Sequence, residues 1–333
     1  MTSTRERREY ATLDGMRALA AFAVVLMHAG AVAPRAYLAV DLFFLLSGYV
    51  LEHAYGARLA AGWNPFSFLH QRFMRLYSLY ALGLGIAVAA VGAALLLHRG
   101  QDWTWGTFIT AATLEAVMLP AWLRTDHRLY ALDFPAWTLL AELVVNLVWA
   151  AVYPRLTQIR LIVWVVVAGL VLAALAVAQG SLNAGSEWET APLGFARAFF
   201  AFPLGVLLRR TVRGSLPGRT GAFVLMLAAV VLFMAPARYG LAYDLMAAFA
   251  LWPAVIAVGA LTDPPARFKA LAMAAGAASF GVYITAVPIY VLVHAVANSR
   301  GLPGEFLPVP WALAYAASLF AGTMAIRRIL RKR

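Results

Sequence analysis

Residues 13–33, LDGMRALAAFAVVLMHAGAVA, decide the fold. This stretch is long and apolar enough to cross a bilayer as one helix. It nevertheless carries Asp14 and Arg17 at one end and His28 near the other. Ionisable side chains inside a membrane span are costly, so they are candidate functional residues. The stretch therefore predicts a membrane helix with a chemical role.

The spacing of these residues predicts a polar stripe. Arg17 and His28 are eleven positions apart, which at about 100° per residue is three turns plus about 20°. Both side chains then share one helical face, roughly 16 Å apart along the axis, and Asp14 lies within about 40° of the same line. The structural alternative is that Arg17 snorkels to the interface and His28 bonds a neighbouring carbonyl.

The composition places the whole chain in a membrane. Of its 333 residues 63% are hydrophobic and 13% charged, whereas soluble domains have about 45–50% and about 25%. At about 20 residues per span, residues 1–333 form one integral membrane domain of about ten helices, an all-α polytopic bundle. The formal charge of +12 is interpreted as cytoplasmic loops rather than nucleic-acid binding. The chain has no cysteine and its histidines are scattered, so no metal site is predicted.

Basic residues predict the topology. The N-terminal segment 1–12 and the tail 327–333 are basic, which predicts that both termini lie in the cytoplasm. We expect the protein in the cell (inner) membrane. Residues 106–121 are apolar but short; counting them as a span would put the basic cluster at 209–219 outside. We therefore interpret them as interfacial or re-entrant, within a large outer loop over about 98–135. The predicted spans are 13–33, 37–54, 74–97, 136–153, 160–178, 192–208, 220–236, 242–261, 270–296 and 308–326.

Three polar residues share one predicted depth near the outer surface. His28, Asp41 and Glu142 each lie four to six residues inside a span, or roughly 6–9 Å at about 1.5 Å per residue. A carboxylate beside the histidine would fix its tautomer and stabilise the imidazolium during general-base catalysis. The alternative is three unrelated groups, each satisfied locally.

Arginines gather at the predicted inner edge. Arg17, Arg72 and Arg75 lie there, and Arg72 and Arg75 share a helical face. Such a cluster can bind phosphates, although membrane orientation explains basic residues equally well, and we give 209–213 that interpretation alone. A basic inner rim suits a phosphate-bearing donor, and an outer histidine suits deprotonation of a hydroxyl. The layout predicts group transfer across a membrane.

Four segments resemble the acyltransferase-3 family of integral membrane O-acyltransferases: LDGMRALAAFAVVLMH, VDLFFLLSGYVL, RFMRLY and AWTLLAEL. By resemblance, Arg17 and His28 fall on the family's essential pair and Arg72 and Arg75 on its RxxR motif. Its Trp-Ser-Leu-x-x-Glu pattern falls on positions 137–142, with Thr138 for serine and Glu142 at the end. A later family histidine is absent here, where Ala286 stands near it.

The resemblance implies an acyl-CoA co-substrate, most often acetyl-CoA, with no permanently bound cofactor. The acceptor is expected to be a carbohydrate or another hydroxyl compound at the outer side, as in polysaccharide modification. We expect Arg17, Arg72 and Arg75 to hold the donor's phosphates. His28 would act as general base or acyl carrier, oriented by Glu142 or Asp41.

Two other functions fit the same sequence. The first is a transporter or flippase for a glycan or lipid-linked substrate, without covalent chemistry. The second is a structural or sensory membrane protein whose polar stripe only packs helices. No oligomeric state is predicted.

Overall fold

A computed structural model describes residues 10–30, 32–98, 103–122, 127–216, 220–299 and 307–330. Over these ranges the chain is built from helices and has no β-strand, only an isolated bridge between Arg128 and Glu187. The helices are α1 (Ala11–Gly30), α2 (Ala39–Ala60), α3 (Pro65–Leu96), α4 (Trp105–Ala116), α5 (Trp137–Val152), α6 (Gln158–Gln179), α7 (Ala191–Thr211), α8 (Thr220–Phe233), α9 (Gly240–Met246), α10 (Trp252–Gly259), α11 (Ala266–Ser299) and α12 (Val309–Leu330). A π-helix, Ala247–Leu251, joins α9 to α10.

Eight helical segments in the described ranges are long and apolar enough to span a membrane. Two further apolar helices, Gly221–Phe233 and Val309–Ala325, are shorter. The predicted all-α polytopic membrane bundle is confirmed. The exact count of ten spans and the cytoplasmic location of both termini stay predictions.

Helix α4 is too short to cross the hydrocarbon core of a bilayer. Its 12 residues are about 18 Å long, against a hydrocarbon core of about 30 Å. Helices α3 and α5 on either side of it run antiparallel, because Arg72 meets Glu142 while Phe68 meets Trp149. A full crossing between them would make them parallel. The geometry agrees with an interfacial or re-entrant segment here.

Helix α1 packs parallel to α11. Near the start of α1, Gly276 lies against the backbone of Asp14. Further along, Val25 and Leu26 pack with Val282 and Ala286. We call the end of the bundle at which α1 and α3 begin the inner end, and the opposite end the outer end.

Helices α2 and α7 also run parallel. Asp41 pairs with Arg197 toward the outer end, and Glu52 pairs with Arg210 toward the inner end. Between these ion pairs the two backbones touch at Gly48, where a Cβ would lie 1.9 Å from the carbonyl oxygen of Phe202. Two polar contacts and one close approach therefore set the register of this pair.

Candidate active site

Glu142 of α5 joins three helices in the inner half of the bundle. Its Oε1 accepts a hydrogen bond from Arg72 Nη2 of α3 at 2.5 Å and from Ser47 Oγ of α2 at 2.8 Å. The side chains of Arg72 and Glu142 are only 9% and 16% exposed. In so dry a setting, opposite charges at hydrogen-bond distance attract strongly. Glu142 is therefore engaged with an arginine and not with the predicted histidine.

Arg17 faces the same group of charges. It lies 3.6 Å from Asp14 and interacts electrostatically with Glu142, Arg75 and Arg72. The three arginines expected to form a cluster do share one neighbourhood. We call these three arginines with Asp14 and Glu142 the inner cluster; its formal charges sum to one positive. Arg17 keeps 27% of its side chain exposed, so this cluster is not fully enclosed by the protein.

Asp41 forms a buried ion pair elsewhere. Its two carboxylate oxygens accept from Arg197 Nε at 2.9 Å and Nη2 at 2.8 Å, and both side chains are at most 3% exposed. Arg197 also donates to the backbone carbonyls of Tyr37 and Ala184. Sequence analysis missed Arg197. Its position inside a predicted span, at a depth similar to that of Asp41, was the available signal.

The expectation that Asp41 or Glu142 orients His28 is corrected by these contacts. Each carboxylate binds an arginine, and neither reaches His28. A permanently charged guanidinium is a better partner for a buried carboxylate than a neutral imidazole, because it compensates the lost hydration of the anion. Glu142 lies with Arg72 in the inner half of the bundle and not at the depth predicted for it, whereas Asp41 lies toward the outer end but faces Arg197 of α7.

His28 makes no hydrogen bond to any residue in the described ranges and is half-buried. Its ring packs edge-on against Phe134, with 5.3 Å between centroids and 78° between planes. The guanidinium of Arg128 lies 5.0 Å from the centre of the Phe134 ring and within electrostatic range of His28. The packing restrains the imidazole plane without using its nitrogens in the fold. Those nitrogens can therefore exchange a proton with a substrate.

A buried carboxylate shapes the loop that carries Phe134. Glu115, at the end of α4, accepts hydrogen bonds of 2.7–3.3 Å from the backbone N–H groups of residues 131–133. Burial raises the pKa of Glu115 to about 7, although these hydrogen bonds act in the opposite direction. The bonds hold the chain immediately before Phe134, so Glu115 helps to place that ring against His28. Sequence analysis gave Glu115 no role.

The AWTLLAEL segment contacts α11 in the outer half through Thr138. Thr138 Oγ1 donates to the carbonyl of Pro135 at 2.9 Å and lies 3.3 Å from the hydroxyl of Tyr283. Tyr283 also packs edge-on against Phe43 of α2. Ala286, which stands near the position of the absent histidine, is buried against α1. The hydroxyl at position 138 thus has a structural partner on α11.

A family model described as an acyltransferase domain matches residues 10–328. The chain belongs to the acyltransferase-3 family. The match covers the inner cluster, His28 and the α3–α5 connection. It therefore confirms the resemblance recognised in the sequence and supports an acyltransferase in a multi-pass membrane protein.

One relative of this acyltransferase-3 protein is described as "Protein 2 in picA locus" from Rhizobium radiobacter. It is 38% identical over an alignment of 174 residues, and the match covers 48% of this chain and 91% of the relative. No solved structure matches the chain. The family assignment therefore rests on the sequence match.

Proposed function

We propose that this chain is a membrane O-acyltransferase. It would move an acyl group, with acetyl as the expected group, from cytoplasmic acyl-CoA to a hydroxyl of an extracytoplasmic glycan or related acceptor. One observation carries the proposal: Arg17 of the inner cluster and His28, which has no hydrogen bond within the described ranges, lie on one face of α1. They are roughly 16 Å apart along the axis.

The inner cluster suits the donor's phosphates. Its three guanidinium groups outnumber its two carboxylates, and Arg binds phosphate through several donors in a planar array. Glu142 holds one nitrogen of Arg72 and so fixes the direction of that guanidinium. The pantetheine arm would then extend along α1 and bring the thioester toward His28.

His28 supplies the chemistry at the outer end in one of two ways. As general base it takes the proton of the acceptor hydroxyl while that oxygen attacks the thioester carbon. The carbon–sulfur bond breaks, and the departing thiolate receives the proton from His28, giving an ester and free CoA. Alternatively, an imidazole nitrogen attacks the thioester carbon, the carbon–sulfur bond breaks, and CoA leaves as the thiol with the imidazole N–H proton; the acceptor hydroxyl then attacks the acyl carbon, the carbon–nitrogen bond breaks, and the hydroxyl proton returns to the imidazole. In both routes the packing of Phe134 holds the ring in place.

The decisive experiment compares His28→Ala with a matched histidine variant. Membranes containing the full chain are incubated with labelled acetyl-CoA, and label is followed into surface glycan or secreted product. General-base assistance contributes about 10²–10⁴-fold to a reaction rate. The rate of transfer should therefore fall by about 10²-fold or more in His28→Ala. His70→Ala, which changes an exposed histidine on α3, should leave transfer unchanged.

Full transfer by His28→Ala would contradict the proposal. Label that enters no acceptor with the unaltered chain would favour the transporter alternative. Arg75→Ala tests the donor site separately, because it should weaken acyl-CoA binding. Normal binding would indicate that the arginines only orient the protein in the membrane.

A further inference from the structure

A second basic group lies at the inner end, between α2 and α7. Arg210 Nε donates to Glu52 Oε1 at 2.7 Å, and Arg209 Nη2 donates to His53 Nδ1 at 3.0 Å. All four side chains are partly buried. Residues 209–213, which were expected only to orient the protein in the membrane, therefore also make specific side-chain contacts.

The two arginines differ in charge balance. Glu52 neutralises Arg210, whereas the contact of Arg209 is with an imidazole. Within the described ranges no carboxylate lies at ion-pair distance from Arg209. Its guanidinium is thus oriented by His53, and the described residues place no counter-ion against its positive charge. A partly buried cation held in this way is suited to an anionic ligand.

The second group is aligned with the inner cluster along α1. Tyr10, directly before α1, packs its ring against His53 at 5.2 Å. Tyr10 and Arg17 are seven residues apart and so share a helical face, about 10 Å apart along the axis. His53 and Ser47 on α2 are separated by a similar height, about 9 Å. Arg209 therefore lies farther from His28 than the inner cluster does, in the same direction.

We propose that Arg209 binds the ribose 3′-phosphate of the acyl-CoA donor. The inference rests on the proposed function, in which the inner cluster binds the pyrophosphate. Coenzyme A carries its pyrophosphate nearer the thioester and its 3′-phosphate at the far end. Two cationic groups in that order along one line from His28 match two anionic groups in the same order on the donor.

The test uses two donors, acetyl-CoA and acetyl-3′-dephospho-CoA, with the full chain in membranes. A hydrogen-bonded contact between charged groups is expected to change affinity by about 10- to 100-fold. The unaltered chain should show a KM higher by that factor for the dephospho donor. Arg209→Gln should raise the KM for acetyl-CoA by the same factor and leave the KM for the dephospho donor unchanged.

Arg213→Gln is the matched control, because Arg213 is an exposed arginine on the same stretch. It should leave both KM values unchanged. Equal KM values for the two donors with the unaltered chain would overturn the inference and leave the proposed function standing. An equal rise in KM for both donors with Arg209→Gln would also overturn the inference and leave the proposed function standing. No transfer from either donor would instead defeat the proposed function.

A measurement on the unaltered chain covers the case in which Arg209→Gln fails to accumulate. Adenosine 3′,5′-bisphosphate should compete with acetyl-CoA at least tenfold better than adenosine 5′-monophosphate, because only the former carries the 3′-phosphate. Equal competition by the two nucleotides would overturn the inference.

Discussion

At the scale of single residues, the two carboxylates expected beside His28 are each paired with an arginine instead. Asp41 binds Arg197 and Glu142 binds Arg72, whereas His28 is left to ring packing. A buried carboxylate loses several kcal/mol of hydration, which a guanidinium at hydrogen-bond distance offsets. A neutral imidazole does not need that compensation. His28, the residue proposed to exchange a proton, thus has no hydrogen bond to its nitrogens within the described residues.

Asp41→Asn should destabilise the protein, because it leaves Arg197 buried without its counter-ion. Breaking such a pair costs about 3–5 kcal/mol, so the thermal midpoint of the protein in detergent should fall. The double variant Asp41→Leu, Arg197→Met should recover part of that loss and keep transfer activity. Normal stability of Asp41→Asn with complete loss of transfer would instead restore the catalytic role predicted for Asp41.

At the scale of elements, packing of helices distant in sequence brings the site together. Helix α2 contributes Ser47 to Glu142 and His53 to Arg209, and its register against α7 is set where Gly48 meets Phe202. The absence of a side chain at Gly48 lets the two backbones touch. Any change in that spacing would displace the polar groups on both sides of it.

Gly48→Ala is expected to separate α2 from α7. Its Cβ would lie 1.9 Å from the carbonyl oxygen of Phe202, and overpacking of this kind costs 1–3 kcal/mol or more. Both the thermal midpoint and acyl transfer should decrease. Gly85→Ala on α3 is the control, because no atom lies within 4 Å of its added Cβ and alanine is the better helix former. Equal behaviour of the two variants would rule out a special role for the contact at Gly48.

At the scale of the whole molecule, the bundle has two chemically different ends. The inner end carries the inner cluster and Arg209, and the outer end carries His28 beneath the loop that holds Phe134 and Arg128. Trp122 and Trp188 stack at 5.1 Å in the same outer region. This polarity is what transfer from a cytoplasmic donor to an outer acceptor requires.

The orientation can be tested by cysteine labelling, since the chain has no native cysteine. Trp122→Cys, at a position 62% exposed in the outer loop, should react with an impermeant maleimide added to spheroplasts. Ser215→Cys, exposed after α7, should react only after the membrane is permeabilised. The reverse pattern would invert the bundle and place the proposed donor site on the wrong side.

Much of the fold was predictable from the sequence because hydropathy and helical periodicity are local properties. The long apolar segments, the stripe from Arg17 to His28 and the gathering of Arg17 with Arg72 and Arg75 all follow from spacing and depth. The roles of Arg197, Arg209 and Glu115 did not follow. Each depends on a partner that is distant in the chain or belongs to a loop backbone.

The sequence by itself determined the membrane class, the acyltransferase resemblance and the position of His28 on the same face of α1 as Arg17. Only the tertiary structure decided which charges meet. Depth along a helix can be counted in residues, but the direction a side chain faces within the bundle depends on every neighbouring helix. That is why Glu142 binds Arg72, Asp41 binds Arg197, and His28 packs against Phe134 without a hydrogen bond to any carboxylate in the part of the chain that the structure describes.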